Sequence, residues 1–199
     1  MGAMTPIACA RPEIECSNGY CLGLTTRLHG SKPSELVIHT HTYEFRDLVS
    51  ELITILFSSG AVPSHFQFST IQVLVNPTVH PHRDKNKGKS ITIGLGEYTG
   101  GDLIIDNVAC SVHHRALLYD GSFEHYVDNY KGNRTSLTIF LNGKTSEAPI
   151  ELLKELDNFG FHIQPFLEAK ASTSERQDPD TPSVKGGAVS VCSSPIIAR

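Results

Sequence analysis

The chain has 199 residues, 39% of them hydrophobic, which is enough for one domain with an ordinary core. Its formal net charge of −4 argues against a protein that binds nucleic acid or other polyanions with its whole surface. A local basic groove is still possible. The five cysteines are odd in number and lack C-x-x-C spacing, which argues against a disulfide framework or a zinc knuckle. No apolar run approaches the roughly 18 residues of a membrane span. We therefore expect a soluble, intracellular protein that does not enter a membrane, and we favour a monomer.

The first part of the chain predicts two strands and one helix. The opening MGAM, residues 1–4, looks like a tag remnant, so the domain is expected to span 5–168. Short strands are predicted at 22–28 and 36–40. Apolar residues then recur at intervals of three and four, which predicts a helix capped by Thr42 and ended near Gly60. Its one buried face is expected to contain Phe45, Leu48, Val49, Leu52, Ile55 and Leu56.

The middle of the chain, about 68–141, changes to short β-rich runs divided by Gly, Asn and Asp. Such spacing favours an antiparallel sandwich or barrel over βαβ units. We predict a mainly β (α+β) fold whose core is a double-stranded β-helix, or jelly roll, with flanking helices. A second helix is predicted with Ser146 or a neighbour as its cap, Pro149 in its first turn and Gly160 at its end. Residues 169–199 are rich in small and polar residues, which predicts a disordered tail or linker. The predicted strands are STIQVLV, SITIGLG, GDLIID, RALLYD and TSLTIFL.

His82 and Asp84 form an H-x-D pair at the end of a predicted strand. Because the side-chain period of a strand is two residues, both groups lie on one face and can bind the same ion. His125, in YDGSFEHYV, is the best candidate for a third ligand. Two histidines and one carboxylate form the facial triad of non-haem Fe(II) sites, so these three residues are the predicted metal ligands and catalytic centre.

Arg134 and Ser136 alternate on a later predicted strand, in GNRTSLTIF. They share a face, and a guanidinium beside a hydroxyl suits the far carboxylate of a dicarboxylate cosubstrate. Asn76, in LVNPTVH, is a further candidate contact to the cosubstrate or to a base.

The order H-x-D, then His, then R-x-S resembles the 2-oxoglutarate/Fe(II) dioxygenases. At HPHRD, followed by KNKGKS and later by GEYTGGDLIID, the chain is most similar to the TET/JBP group within that superfamily. The resemblance covers roughly residues 68–141. It implies a jelly-roll core, Fe(II) and 2-oxoglutarate as cofactors, and O2 as cosubstrate. It also implies hydroxylation of the methyl group of 5-methylcytosine, or of a related methylated pyrimidine, in DNA or RNA.

The loop that carries the predicted metal ligands is basic, although the chain is acidic. Clustered Lys and Arg favour phosphate contacts, so this loop is expected to position a nucleic-acid strand beside the metal. Asn86 is included as a candidate for base recognition. The predicted substrate-binding residues are Arg83, Lys85, Asn86, Lys87 and Lys89.

Two other functions fit the same pattern. A protein hydroxylase of prolyl type would use the same iron site on a peptide, and a cupin-like module would retain the metal without turnover. Among the remaining histidines, surface or turn positions are favoured for His113, His114, His39 and His41. For His80, three roles are compatible with the sequence: support of the ligands from behind, contact with the substrate, or direct ligation of the metal.

Overall fold

The structure is a computed structural model that describes residues 12–29 and 32–174. Within these ranges the chain is dominated by antiparallel strands, as the sequence predicts. The strands, in chain order, are β1 Ile14–Glu15, β2 Asn18–His29, β3 Lys32–Ile38, β4 Thr70–Val75, β5 Thr78–Val79, β6 Ser90–Leu95, β7 Tyr98–Gly100, β8 Leu103–Ile105, β9 Val108–Cys110, β10 Leu117–Tyr119, β11 His125–Val127, β12 Tyr130–Gly132 and β13 Thr135–Phe140.

One large sheet contains six strands in the order β10-β6-β13-β4-β2-β3. The shorter strands form a three-stranded sheet, β11-β8-β9, and the pairs β12-β7 and β1-β5. All pairings between the named strands are antiparallel, and the central strand β13 pairs with β4 on one side and β6 on the other. This arrangement agrees with the predicted mainly β, jelly-roll core. The five strands predicted between 69 and 141 are all present, although each is somewhat shorter than the sequence run.

The two faces of the large sheet have different chemistry because its side chains alternate. In β13, Leu137 and Ile139 pack into the main hydrophobic core, which also contains the helices. Ser136 and Thr138 point the other way and line a small cavity. Strand β6 repeats the pattern, since its Thr92 lines the same cavity. A strand period of two therefore places polar groups on the inner face and apolar groups under the helices.

The first predicted helix is two helices, α1 Thr40–Glu44 and α2 Arg46–Ser58. The prediction of one continuous helix was wrong because Phe45 departs from helical geometry, with φ −111° and ψ 32°. Thr42 does not cap the start either: its Oγ1 accepts a hydrogen bond from the Gly23 amide at 2.8 Å, and the capping side chain is His39.

The buried face of α2 also differs from the prediction. Val49, Ile53 and Leu56 are buried, at spacings of four and three residues. Leu48 and Ile55, which were predicted on this face, are 59% and 52% exposed. Because apolar residues are adjacent in this segment, the helix has more than one apolar stripe along its surface. The stripe that packs against the sheet is the one that contains Ile53.

The C-terminal helices cover the same core. Helix α3, Ile150–Asn158, is followed by Gly160 at φ +92°, as predicted. Pro149 is the N-cap residue and not part of the first turn, so that part of the prediction was wrong by one position. Ser146 lies in a separate 3-10 turn, Thr145–Glu147, and therefore does not cap α3.

A further helix, α4 Gln164–Ser174, follows α3. The predicted domain boundary at 168 therefore falls inside a helix. The proposed tag remnant and the tail beyond 174 lie outside the described residues. In the described part of the chain, no helix is long and apolar enough to cross a membrane.

Candidate metal centre and adjoining cleft

His82, Asp84 and His125 come together as the sequence predicts. One ligand atom from each lies within 4.8 Å of the others, and this group is called the metal triad below. The His82 Nε2 atom is 3.8 Å from Asp84 Oδ1, and the His125 Nε2 atom is 3.7 Å from Asp84 Oδ2. Because protein ligands lie about 2.0–2.6 Å from their metal ion, atoms at these separations can share one ion.

Backbone pairing holds the two histidines side by side. The His82 amide donates to the His125 carbonyl at 3.1 Å, and the His125 amide donates back to the His82 carbonyl at 2.9 Å. The ring centroids are 4.3 Å apart. The backbone pairing of His82 with His125 is an isolated β-bridge, separate from the pairing of β11 with β8. It holds the loop after β5 against the three-stranded sheet.

Hydrogen bonds fix which ring nitrogen of each histidine faces the metal position. The Nδ1 atom of His82 lies 2.8 Å from the His80 carbonyl, and that of His125 lies 2.9 Å from the Phe123 carbonyl. A carbonyl only accepts, so Nδ1 carries the proton of the neutral ring and Nε2 keeps its lone pair. His80 therefore acts behind the ligands through its backbone, while its ring is exposed.

Asp84 is held by a close contact with Gly121. The Asp84 amide donates to the Gly121 carbonyl at 2.8 Å. A Cβ at position 121 would lie only 3.1 Å from Asp84 Cβ and 3.2 Å from its Oδ2. A glycine at 121 therefore allows the carboxylate to reach the two histidines. The side chains of His82, Asp84 and His125 are 11%, 7% and 3% exposed, so the triad is mostly shielded from water.

The triad lies at one side of the small cavity, about 40 Å³, between the large sheet and the β8–β11 side. Arg134 and Ser136 line the same cavity, so the structure brings the predicted cosubstrate residues to the predicted metal ligands. Their binding of a cosubstrate stays a prediction. Tyr119, with its ring centroid 5.2 Å from that of His125, also lines the cavity and was not predicted.

Arg134 is the most unusual charged group of the site. It is 1% exposed, and among the described residues neither its Nε nor its Nη1 atom has a hydrogen-bond partner. The guanidinium carbon lies 5.5 Å from the Tyr98 ring centroid and 5.7 Å from that of Tyr130. These rings attract the cation but do not satisfy its Nε and Nη1 donors, which have no partner among the described residues. A buried guanidinium with unused donors fits a carboxylate ligand.

Asn76 has a position that explains how Arg134 is held. It adopts the left-handed conformation, with φ +49°. Its Oδ1 atom accepts the Arg134 amide at 2.9 Å, and its own amide donates to the Arg134 carbonyl at 2.7 Å. Asn76 lines neither the small cavity nor the larger cleft described next, so its predicted contact with cosubstrate or base stays a prediction.

A larger cleft, about 690 Å³, adjoins the small cavity and shares the lining residues Ile14, Gln72 and Leu74 with it. Lys85 and Asn86 line this cleft. The Asn86 amide also donates to Asp84 Oδ2 at 3.1 Å, so it contacts the triad directly. Two predicted substrate residues are therefore close to both the metal triad and the cleft.

The other residues of the predicted basic loop do not line the cleft. Arg83 donates to the Ser122 carbonyl at 3.3 Å. The Lys87 ammonium lies 5.2 Å from the Phe166 ring centroid, over α4. Lys89 is exposed. Of the predicted substrate-binding residues, only Lys85 and Asn86 therefore line the cleft. Substrate contacts by Arg83, Lys87 and Lys89 stay predictions.

Comparisons with known proteins find a likeness among solved structures only. No family model matches the chain, and no curated protein matches it. Among solved structures, the chain is similar to an oxidoreductase of the 2OG-Fe(II) oxygenase family from Burkholderia pseudomallei, with 15% identity and a TM-score of 0.38. The match covers 61% of this chain and 67% of that one. A likeness of this size leaves the chemistry of the site to be inferred from its own residues.

Proposed function

We propose that the protein is an Fe(II)- and 2-oxoglutarate-dependent oxygenase that hydroxylates the methyl group of 5-methylcytosine, or of a related methylated pyrimidine, in DNA or RNA. One observation carries the oxygenase part. A histidine–histidine–carboxylate triad shares a small cavity with a buried arginine whose Nε and Nη1 donors have no partner among the described residues. A metal alone would not explain that arginine, whereas a dicarboxylate bound between triad and arginine would.

Each residue of the site has a proposed role that follows from its side-chain chemistry. His82 and His125 would bind iron through Nε2, and Asp84 would supply the anionic ligand. Arg134 and Ser136 would hold the far carboxylate of 2-oxoglutarate. When bound, iron, 2-oxoglutarate and O2 supply oxidative hydroxylation of a C–H bond, with succinate and carbon dioxide as products.

The protein also provides a shielded environment for this chemistry. The triad side chains are nearly buried, and the cavity walls include Leu103 and Val127. Limited water access strengthens the contact between Arg134 and an anion, because a charge interaction is stronger at low dielectric constant. The carbonyls of His80 and Phe123 keep both imidazoles in one tautomer, so the ligands are oriented before the metal arrives.

The nucleic-acid part of the proposal has separate support. The HPHRD segment resembles the TET/JBP oxygenases, and Lys85 and Asn86 lie where the cleft meets the metal triad. A methyl group on a base would reach the triad from this cleft, so the cleft is the expected path for substrate.

The test begins with ligand binding under anaerobic conditions. Fe(II) and 2-oxoglutarate are added to the protein, and the visible charge-transfer absorption of the chelate is recorded. Wild type should give the band and His82→Ala should not. His80→Ala is the matched control, because only the backbone carbonyl of His80 contacts the ligand ring. Equal bands for all three proteins would contradict the proposed metal site.

The second step identifies the reaction. Air is admitted with methylated DNA or RNA oligonucleotides, or with peptides, and succinate, nucleosides and peptides are measured by mass spectrometry. Oxidised methylpyrimidine supports the full proposal. Hydroxylated peptide without oxidised nucleoside would replace nucleic acid by a protein substrate, and metal binding without succinate would indicate the cupin-like binding module.

A further inference from the structure

Asn86 contacts a metal ligand with the amide nitrogen of its side chain. The Nδ2 atom lies 3.1 Å from Asp84 Oδ2 and 3.3 Å from Ser90 Oγ. An ionised carboxylate accepts hydrogen bonds and does not donate them, so the NH2 group of Asn86, and not its carbonyl oxygen, faces Asp84. The second amide hydrogen is then directed to Ser90. Both donors of the Asn86 side chain are therefore used inside the protein.

This use of both donors argues against the predicted role of Asn86 in base recognition. An asparagine that reads a base edge makes two contacts at once, one through its NH2 group and one through its carbonyl oxygen. Asn86 keeps only the carbonyl oxygen for a ligand in the cleft. If it turned its NH2 group to a base, the Asp84 carboxylate, whose side chain is 7% exposed, would lose that donor.

The backbone on both sides of Asn86 is held by hydrogen bonds. The Asp84 amide donates to the Gly121 carbonyl at 2.8 Å, and the Lys87 amide donates to the Leu141 carbonyl at 2.9 Å. These bonds attach the loop to the segment after β10 and to the residue that follows β13. The loop therefore presents the Asn86 side chain to Asp84 from a backbone that is attached at two points.

Ser90 connects this side chain to the large sheet. It is buried and is the first residue of β6. Strand β6 lies between β10 and β13, and Ser90 is paired with Tyr119 of β10. The hydrogen bond from Asn86 to Ser90 thus joins the carboxylate of a loop residue, through one amide group, to a strand inside the sheet.

We propose that Asn86 is a positioning residue of the metal centre, which links the Asp84 carboxylate to Ser90 and holds it in the orientation that binds the ion. This inference rests on the proposed function, because it concerns the same metal triad. It gives Asn86 a role behind the ligand in place of base recognition. Residues that orient a metal ligand through a hydrogen bond typically contribute about 10- to 100-fold to metal affinity.

The test uses Co(II), whose visible absorption spectrum depends on the geometry of its ligands and whose binding requires neither 2-oxoglutarate nor O2. Asn86→Ala should lower the affinity for Co(II) about 10- to 100-fold. At saturation its Co(II) spectrum should also differ from that of the wild type, because the carboxylate is no longer held in one orientation. A purely structural role of Asn86 would lower the melting temperature and leave the spectrum of the saturated protein unchanged, which would overturn the proposal.

Asn158→Ala is the matched control for this substitution. Asn158 is exposed at the end of α3 and lines neither the small cavity nor the cleft. This variant should keep the wild-type Co(II) affinity and spectrum. An equal loss of affinity in Asn158→Ala and Asn86→Ala would contradict a specific role of Asn86.

Ser90→Ala tests the link to the sheet. It keeps the bond between Asn86 and Asp84 and removes only the anchor, so it should lose less Co(II) affinity than Asn86→Ala. The double variant should lose no more than Asn86→Ala alone, because both residues act on Asp84 through one chain of hydrogen bonds. Melting curves check that each variant is folded. Losses that add in the double variant would contradict the link.

Oligonucleotide binding without metal separates this role from base recognition. Asn86→Ala should bind a methylated single strand as the wild type does. A weaker preference for the methylated strand, together with unchanged Co(II) affinity, would overturn the proposal and return Asn86 to the base. Wild-type Co(II) binding without oxidation of any substrate would refute the oxygenase and keep the role of Asn86. Oxidation by the wild type, with wild-type Co(II) affinity and spectrum in Asn86→Ala, would refute the role of Asn86 and keep the oxygenase.

Discussion

Replacing Arg134 with methionine should change two properties in opposite directions. In the wild type without ligand, a buried guanidinium lacks partners for two of its donor atoms among the described residues. An uncompensated buried charge costs about 3–5 kcal/mol, and the contacts with the Tyr98 and Tyr130 rings return about 0.5–2 kcal/mol each. From the midpoints of these ranges, we expect Arg134→Met to raise the free energy of unfolding of the ligand-free protein by about 1–2 kcal/mol.

The effect on cosubstrate binding should be the reverse. Two hydrogen bonds from a charged donor to a carboxylate contribute about 1.5–3 kcal/mol each, or about 3–6 kcal/mol together. Arg134→Met should therefore weaken 2-oxoglutarate binding roughly 150- to 25,000-fold. Ser136→Ala removes one neutral hydroxyl, worth about 0.5–1.5 kcal/mol, and should weaken binding much less.

Thermal unfolding measures both properties in one assay. In a domain of this size, 1 kcal/mol shifts the melting temperature by about 2–4 °C. Arg134→Met should melt about 2–8 °C above wild type without ligand and should lose the further increase that 2-oxoglutarate gives the wild type with a metal ion bound. Arg115→Met, at an exposed arginine, is the control and should show neither effect. A ligand-free Arg134→Met protein that melts lower, or one that keeps the 2-oxoglutarate shift, would refute this explanation of the buried cation.

Three further outcomes are expected. Gly121→Ala should weaken metal binding in an Fe(II) titration because its Cβ crowds Asp84, and unchanged affinity would show that the carboxylate can move aside. Lys85→Gln should weaken oligonucleotide binding while Lys87→Gln should not, since only the former lines the cleft; equal losses would restore the whole basic loop as the phosphate site. Removal of residues 175–199 should preserve the melting temperature and succinate formation, and a lower melting temperature would show that this segment packs on the domain.

The metal triad could be predicted because two of its residues are close in the sequence and the third follows them in the order H-x-D, then His. His82 and Asp84 are two residues apart, so they could be recognised as a pair without any knowledge of the fold, although the structure places both in the loop after β5 and not on a strand. Ser136 lies in β13, and Arg134 directly precedes that strand. What the sequence did not indicate is the environment of Arg134, since Tyr98 and Tyr130 lie on two other strands whose pairing depends on tertiary structure.

Long-range contacts explain the other differences. The cleft combines Arg27 of β2 with Lys144 from the far end of the chain, and no periodicity joins such positions. The break at Phe45 was missed because apolar spacing continues through it, while the change is only in backbone angles. Leu48 and Ile55 show the same limit, since hydrophobic spacing does not decide which of two apolar stripes the sheet covers.

The mutual backbone hydrogen bonds of His82 and His125 also have a consequence for the motions of the chain. A metal ion bound to both rings and to Asp84 would act as a reversible cross-link between two segments far apart in sequence, closing a long loop. Local opening of residues 79–89 would then require the ion to leave first. Amide hydrogen exchange at His82 and His125 should therefore slow when metal is added, while exchange in the remote helix α3 should follow only the global stability.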